Sequence, residues 1–213
     1  DMGTVMHRAL ELYAGHLRKE QLSWTELSEE EQRTLIGQCV DQVVADYGNT
    51  ILYSSARNEY MIARIKRILR RTVWALREQM LRGGFTPAGF EVDLPGGRID
   101  RMDLCEDGEK IYVKIIDYKT GNVRFDLTSL YYGLQLQLVA YLNGAVELEQ
   151  KRHPERSVEP AGIFYYNIKD PLIRGGAGES APVREKKILK ELRMDGLVSD
   201  RPEILEKLDA TGE

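Results

Sequence analysis

The chain has 213 residues, and 30 lysines and arginines stand against 34 aspartates and glutamates, so the formal net charge at pH 7 is only −4. This length suits one large domain or two small ones, and the composition is that of a soluble globular protein. The weak net charge excludes a uniformly basic surface for nucleic acid, so that any such surface must be a local basic patch. The 213 residues contain no apolar run long enough to span a bilayer and no signal-peptide pattern.

The two cysteines, Cys39 and Cys105, have neither the spacing of a metal site nor that of a disulfide framework. This usage indicates a reducing compartment. The sequence begins with Asp1 rather than with a methionine. We therefore expect the chain to be cut from a longer polypeptide.

Helical spacing of apolar residues dominates the first 82 positions, and a Ser28–Glu31 capping box opens one of the predicted helices. From residue 85 the apolar residues alternate instead, which predicts strands. The predicted helices cover 3–19, 29–47, 58–82, 127–149, 184–194 and 202–208; the predicted strands cover 85–94, 97–105, 110–119 and 162–168; residues 174–182 form a predicted flexible loop. This order predicts an α/β fold with a mixed central sheet flanked by helices.

The stretch VKIIDYKTG, residues 113–121, carries an apolar strand straight into an acid and a base. Because side chains alternate along a strand, Asp117 and Lys119 project together at the end of a row of aliphatic residues, and Tyr118 points away. One interpretation is a structural ion pair at the end of a sheet. The other is a chemical site.

The preceding strand, GGRIDRMDLC, contributes two more carboxylates. Asp100 shares its side with Met102, whereas Asp103 shares its side with Arg101, so we expect Asp103 to be salt-bridged or solvated. If the two strands are neighbours, Asp100 and Asp117 converge, and two close carboxylates stay ionised only beside a cation. Their oxygen ligands suit Mg²⁺ or Mn²⁺, and a lysine beside such a metal orients a water molecule.

Four other residues are candidates, each with a structural alternative. Gln137 and Tyr141 lie one helical turn apart on one face, where they would contact a ligand or be a solvated glutamine and a core tyrosine. His7 lies beside the apolar stripe of the first helix, as a ligand or as an edge residue with a satisfied hydrogen bond. Glu91 lies one strand before Asp100, where it would support a metal or be a surface glutamate.

The third predicted helix carries a basic stripe opposite its apolar side, opposed only by Glu59 and Glu78. Such a stripe is typical of a phosphate track, in which we expect Arg67, Arg70 and Arg71 to contact DNA. The alternative is a solvated face bonded to acidic residues elsewhere. The stripe consists of Arg64, Lys66, Arg67, Arg70, Arg71, Arg77 and Arg82.

The segments GRIDRMDL, IIDYKTG and YYGLQLQLVAYL together resemble the PD-(D/E)xK nuclease domains of the RecB family, in particular those of AddB type. GTVMHRALE resembles the family's helix motif with a metal-binding histidine, and FTPAGFEVDL, PAGIFYYNIKDPLI and LRMDGLVSDRPEILEKLD extend the likeness over nearly the whole chain. The resemblance implies a restriction-endonuclease-like core in a single domain over 1–213. Its parts would be a helical segment 1–84, a catalytic sheet and helix 85–170, and a C-terminal loop and helices 171–213.

The resemblance also implies roles for individual residues. His7, Asp100, Asp117 and the Tyr118 carbonyl would bind the divalent metal, Mg²⁺ or Mn²⁺, and Lys119 would be the catalytic lysine. The remaining family positions are Gln137 and Tyr141, which would contact substrate, and Glu91, which would be a further catalytic acid.

The implied function is that of an exonuclease that works on linear DNA in the bacterial cytoplasm and cuts the strand that bears the 5′ end. It would act beside an AddA-type helicase/nuclease partner in the processing of double-strand breaks. AddB-type domains also carry a four-cysteine iron–sulfur staple, and Cys39 and Cys105 do not match its positions. We therefore expect no iron–sulfur cluster in this chain, and no ATP binding, because the helicase-like part is absent from it.

Two other functions stay open at this point. One is a catalytically silent DNA-binding or scaffold module, against which the intact Asp100, Asp117 and Lys119 argue. The other is a hydrolytic enzyme for small molecules, against which the lack of a glycine-rich phosphate loop or a nucleophile elbow is weak evidence.

Overall fold

The structure, a computed structural model, describes residues 2–46, 56–133, 136–173 and 178–212. The described residues form two compact units: a helical unit, Asp1–Glu78 with Ile168–Arg193, and a sheet unit, Gln79–Asn167 with Met194–Glu213. The single domain over 1–213 stays a prediction. The predicted helix end at Tyr47, residues 134–135 of the predicted fourth helix and residues 174–177 of the predicted loop lie outside the described residues.

The elements follow each other along the chain as α1 (Met2–Lys19), α2 (Glu29–Asp46), α3 (Ala56–Leu81), β1 (Thr86–Leu94), β2 (Gly97–Asp107), β3 (Lys110–Lys119), α4 (Leu127–Tyr131), α5 (Leu136–Arg152), β4 (Ser157–Asn167), α6 (Ala181–Glu191), β5 (Asp195–Val198) and α7 (Pro202–Leu208). The first three helices and the first three strands confirm the predicted elements to within two residues. No helix of the described residues is long and apolar enough to cross a membrane.

The helical unit is built from amphipathic helices with defined ends. The Tyr13 ring of α1 is fully buried and packs edge-on against Trp24, with ring centroids 4.9 Å apart. The predicted capping box opens α2: the Ser28 N–H donates to Glu31 Oε2 at 2.8 Å, and the Glu31 N–H donates to Ser28 Oγ at 3.3 Å. These bonds satisfy backbone donors that the first turn of a helix leaves unpaired.

The sheet unit contains one five-stranded sheet in the order β1-β2-β3-β4-β5. Only β3 and β4 are parallel, so the prediction of a mixed sheet in an α/β fold is confirmed. Helix α5 packs through Leu138 and Ala145 on the sheet face that carries Val113. On the other face, Ile204 of α7 packs in a cluster with Tyr112. The sheet therefore has two buried faces with different environments.

The predicted helix over 127–149 is wrong in one respect, because the structure divides it into α4 and α5. Gly133 adopts φ +81°, the left-handed conformation that commonly ends a helix. Asp126 caps the start of α4 by accepting hydrogen bonds from the N–H groups of Thr128 and Ser129. The leucine-rich pattern hides this break, since the apolar spacing continues across it.

The later elements also differ from the prediction. β4 begins at Ser157, because its parallel pairing with β3 extends through Pro160, next to a shift in register. The sequence predicts no strand at β5, which has only four residues. Gly196 lets β5 approach β4, since a side chain there would lie 2.0 Å from the Ile163 carbonyl oxygen. Helix α6 begins inside the predicted loop and ends at Glu191.

Candidate active site

A row of three carboxylates crosses β1, β2 and β3. The register of the flanking pairs places Glu91 opposite Asp100 across β1 and β2, and the β2–β3 register, continued by one residue, places Asp100 opposite Asp117. We call Glu91, Asp100 and Asp117 the carboxylate row. The predicted convergence of Asp100 and Asp117 thus has its basis in two adjacent antiparallel strands.

Asp100 is at the centre of the carboxylate row and is held by the neighbouring strand. Its Oδ2 accepts a hydrogen bond of 2.7 Å from the backbone N–H of Tyr118, and the residue is half-buried. A carboxylate oxygen of Glu91 lies within 4.8 Å of one of Asp100. The strands therefore bring negative charges together that repel each other unless a cation lies between them.

Glu91 has an unusual backbone for a residue inside a strand. Its φ is +48°, a left-handed conformation that a non-glycine residue rarely adopts. The Arg98 guanidinium contacts Glu91 Oε2 at 3.2 Å and Asp93 Oδ1 at 2.9 Å. The Glu91 side chain is only 23% exposed, which argues against an ordinary surface glutamate. Strain of this kind is frequent at functional sites.

Asp117 and Lys119 form an ion pair at the end of β3, with Lys119 Nζ 2.6 Å from Asp117 Oδ2. The predicted aliphatic row on their side of the strand is fully buried, and Val113 is one of its members. Burial by itself lowers the pKa of Lys119, but the hydrogen bond and charge of Asp117 outweigh it and hold that pKa above its usual value. Lys119 Nζ also lies 5.4 Å from the centre of the Tyr165 ring. Lys119 is therefore a fixed cation beside the carboxylate row.

Tyr118 points to the opposite face of the sheet, as predicted, and its side chain is buried. Its hydroxyl accepts a hydrogen bond from Arg101 Nη1 at 3.4 Å. The role of its backbone carbonyl as a metal ligand stays a prediction.

Gln137 and Tyr141 are in contact one turn apart on α5, where Gln137 Nε2 donates to the Tyr141 hydroxyl at 2.6 Å. Tyr141 is 8% exposed and belongs to the apolar cluster on this face of the sheet. Its hydroxyl lies over Gly97, where a Cβ atom would be 1.9 Å away. The two residues thus lie over the start of β2, the strand that carries Asp100, and substrate contact by them stays a prediction.

The other predicted site residues lie in the helical unit. His7 is half-buried on α1, next to the buried Met6, and its role as a ligand stays a prediction. On α3, Asp170 Oδ2 accepts from Arg67 Nε at 2.8 Å and Asp170 Oδ1 lies 3.6 Å from Arg71 Nε, whereas Arg70 is exposed. The alternative of a face bonded to acidic residues elsewhere therefore holds for part of the basic stripe.

The sequence interpretation missed the residues that hold the segment after Lys119. Asn167, at the end of β4, accepts from the Val123 N–H at 3.1 Å and donates to the Val123 carbonyl at 2.8 Å. Asp195 of β5 accepts from the Phe125 N–H at 2.8 Å. A signal for Asn167 was present, because the C-terminal ends of neighbouring parallel strands often meet at a site.

A second charged cluster, which the sequence interpretation identified only as a salt bridge at Asp103, lies on the other face of β2 and β3. The Arg101 guanidinium makes two bonds to the Asp103 carboxylate, at 2.6 and 2.8 Å, and Lys114 Nζ lies 3.3 Å from the same carboxylate. Arg101 and Asp103 are fully buried. Burial alone would raise the pKa of Asp103, but the two cations hold it below its usual value. The salt bridge predicted for Asp103 is confirmed.

The carboxylate row fits a hard divalent cation. Its three side chains offer only oxygen ligands, at the ends of strands that are fixed by their pairing and by the packing of α5. The repulsion between the carboxylates, which Lys119 offsets on one side only, favours a bound cation.

The comparison with known proteins agrees with this geometry. The pattern of the PD-(D/E)XK nuclease superfamily matches residues 1–211. The chain is 42% identical over 219 residues to an AddB-type ATP-dependent helicase/deoxyribonuclease subunit of Lachnoclostridium phytofermentans, in an alignment that covers 99% of this chain and 19% of the relative. It is 36% identical over 230 residues to the protein of the same name from Alkaliphilus metalliredigens, with 98% and 20% covered.

The chain spans about a fifth of the length of these curated relatives. Its mixed five-stranded sheet with packed helices is consistent with the restriction-endonuclease-like fold that the resemblance implies. Because the family pattern matches almost every residue, this chain belongs to the PD-(D/E)XK nuclease superfamily.

Proposed function

We propose that the chain is a metal-dependent deoxyribonuclease that hydrolyses phosphodiester bonds of linear DNA. The observation that carries this proposal is the carboxylate row beside the Asp117–Lys119 ion pair, at the ends of paired strands. Membership of the nuclease superfamily supports the reaction class. The reaction adds water across a P–O bond.

The metal of the proposal is Mg²⁺ or Mn²⁺, held by Asp100 and Asp117, with Glu91 as a supporting acid. The family pattern adds His7 and the Tyr118 carbonyl as ligands. When bound, a divalent ion of this kind lowers the pKa of water and polarises a phosphoryl oxygen.

The residues of the chain supply placement and charge. The buried aliphatic row fixes β3 and thereby the direction in which Asp117 and Lys119 point, and catalysis depends strongly on such placement. As an ammonium, Lys119 donates hydrogen bonds to the attacking water or to a phosphate oxygen and stabilises the negative charge that develops there. Gln137 and Tyr141 contact the substrate beside β2, and Arg67, Arg70 and Arg71 bind phosphates.

For the whole protein we propose an exonuclease activity that processes double-strand breaks for recombinational repair. The support is the name of the relatives, each of which is a subunit of an ATP-dependent helicase/deoxyribonuclease. An AddA-type chain would be the partner, and the bacterial cytoplasm the place of action.

The test is the cleavage of end-labelled linear DNA by the chain with Mg²⁺, with Mn²⁺ and with EDTA. We expect cleavage only with a metal, and its loss in Lys119→Met. The control is Lys110→Met at the opposite end of β3, where the lysine pairs with Glu159 on the surface. DNA binding without cleavage under any metal would instead support a catalytically silent module.

A further inference from the structure

A cavity of about 450 Å³ lies in the helical unit, lined by the start of α2, the middle of α3 and the start of α6. We call it the arginine pocket, because five of its lining residues are arginines and only two are glutamates, which leaves three positive charges in excess. The arginines are Arg33, Arg67, Arg70, Arg71 and Arg184. A concave surface with charges of one sign concentrates its field on a ligand of the opposite sign.

Three of these arginines are not neutralised by the protein. Asp170 pairs with Arg67 and Arg71. Within the described part of the chain, no carboxylate forms an ion pair with the remaining three, Arg33, Arg70 and Arg184. Guanidinium groups that converge from three helices without a counter-charge are a site for an anion, and their planar forks match phosphate oxygens.

The start of α6 adds positive potential to the arginine pocket independently of the arginines. Ser180 precedes this 11-residue helix but makes no side-chain capping bond, and Ala181 lines the pocket. The first N–H groups of a helix have no partner within it and carry a partial positive charge. They are a common site for phosphate groups.

We propose that the arginine pocket binds the backbone of a single-stranded nucleic acid, with phosphates on Arg33, Arg70 and Arg184 and a base against Trp74. This proposal rests on the nuclease function proposed above and adds a strand-binding site in the helical unit. Trp74 is half-buried in the pocket wall, where an indole ring stacks on any base.

The size of the arginine pocket favours a nucleotide strand over a free anion. Its volume is in the range of pockets that bind drug-sized ligands, about 300–1,000 Å³, whereas an isolated phosphate needs far less space. A duplex keeps its bases stacked inside, so that no base reaches a tryptophan in a concave wall unless it is flipped out. A single strand presents phosphates and bases together.

The test uses tryptophan fluorescence and the anisotropy of a labelled oligothymidylate, both in EDTA so that no cleavage occurs. The chain has two tryptophans, and Trp24 is 5% exposed, so quenching by the oligonucleotide should come from Trp74 and disappear in Trp74→Phe. The double variant Arg33→Glu, Arg184→Glu should lose about tenfold or more in affinity. Its salt slope should fall by about 1.4, since each phosphate contact with a single strand contributes about 0.7.

The matched control is Arg57→Glu, Arg64→Glu, which makes the same change of charge at exposed positions of α3 outside the pocket. It should retain most of the affinity. The glutamine versions of all four substitutions, with thermal unfolding of each variant, separate lost binding from lost folding.

Three results would overturn the proposal: an unchanged affinity and salt slope in the pocket variant, equal quenching by polyglutamate, or equal quenching by inorganic phosphate. The second would identify a site for an acidic protein segment, and the third a site for free anions. Failure of the proposed nuclease function is recognised separately, because it requires that the wild-type chain not cleave DNA with any metal, whatever the binding result.

Discussion

The two faces of β2 and β3 carry ionic groups of opposite character. On one face the carboxylate row and Lys119 are partly exposed, with Asp117 and Lys119 side chains 20% and 37% accessible. On the other face the side chains of Arg101 and Asp103 are at most 1% accessible, and Lys114 completes the cluster at 11%. Adjacent residues of the same strands belong to the two groups, because alternate side chains point to opposite sides.

The difference lies in how completely each charge is compensated. The Asp103 carboxylate faces two cations, so its cluster is held together by the protein alone. The carboxylate row has three acids and strained backbone at Glu91, with Arg98 and Lys119 in contact only at its two ends. Burial of charge therefore indicates structure when the partners are present, and a site when they are incomplete.

The largest effect is expected for Asp117→Ala on the carboxylate row. Cleavage should fall by about 10³-fold, as for the loss of other single groups that act on the transition state. The free energy of unfolding should stay within about 0.5 kcal/mol or rise, because repulsion in the row is relieved. Nuclease rate and denaturant unfolding are measured on the same sample.

The control for this variant is Asp107→Ala at the far end of β2, where the acid pairs with Lys207 and is half-exposed. It should cleave at the wild-type rate. An active Asp117→Ala chain would contradict the assignment of the metal site.

Asp103→Asn should have the converse effect on the other face. Removing the only counter-charge of two buried cations should lower the free energy of unfolding by about 3–5 kcal/mol. The wild-type contribution of Asp103 is present above its usual pKa of 3.8 and is lost as the pH falls through its lower folded-state pKa, so acid should narrow the difference between the two chains. Urea unfolding between pH 7 and pH 3 measures this, with Asp93→Asn, on the exposed edge of β1, as the control. A stability equal to the wild type at pH 7 would show that the buried cluster does not stabilise the fold.

His7→Ala tests whether the carboxylate row is completed by a ligand from a helix. If His7 binds the metal, the Mn²⁺ concentration for half-maximal cleavage should rise by about tenfold or more, as for losses around other metal sites. The exposed His16 of the same helix provides the control variant, His16→Ala. Superimposable Mn²⁺ titrations of His7→Ala and the wild type would remove this residue from the ligand set.

The smallest effect is expected for Lys114→Met. This residue is the third member of the buried cluster, and without it the two-bond Arg101–Asp103 pair remains balanced, so the cost should stay below about 1.5 kcal/mol. Burial lowers the pKa of Lys114, so the unfolded chain binds more protons than the folded chain as the pH approaches the usual value of 10.5. The wild type should therefore gain stability relative to Lys114→Met over that alkaline window. A cost as large as that of Asp103→Asn would show that Lys114, and not Arg101, neutralises the carboxylate.

Local patterns in the sequence were sufficient for the strands that carry the site. The alternation along β2 and β3 predicts that Asp117 and Lys119 share a side and that Tyr118 does not, and the structure agrees. The reason is that side-chain direction in a strand depends only on position along the chain. The capping box at Ser28 was predictable for a similar reason, since its partners are three residues apart.

Contacts between distant segments needed the tertiary structure. Asn167 holds the backbone at Val123 over 44 residues of sequence, and Lys114 joins Asp103 only because β2 and β3 pair in one register. The arginine pocket likewise gathers Arg33, Arg70 and Arg184 from three helices.

The sequence by itself determined which residue types stand at the ends of which strands, and hence the nature of the site, through the short-range periodicity of the backbone. Only the tertiary structure decided which charges are compensated, that Glu91 lies opposite Asp100 in a strained conformation, and that the helix after β3 breaks near Gly133. Compensation depends on the register and packing of segments far apart in the chain, and that information is not present in any local pattern.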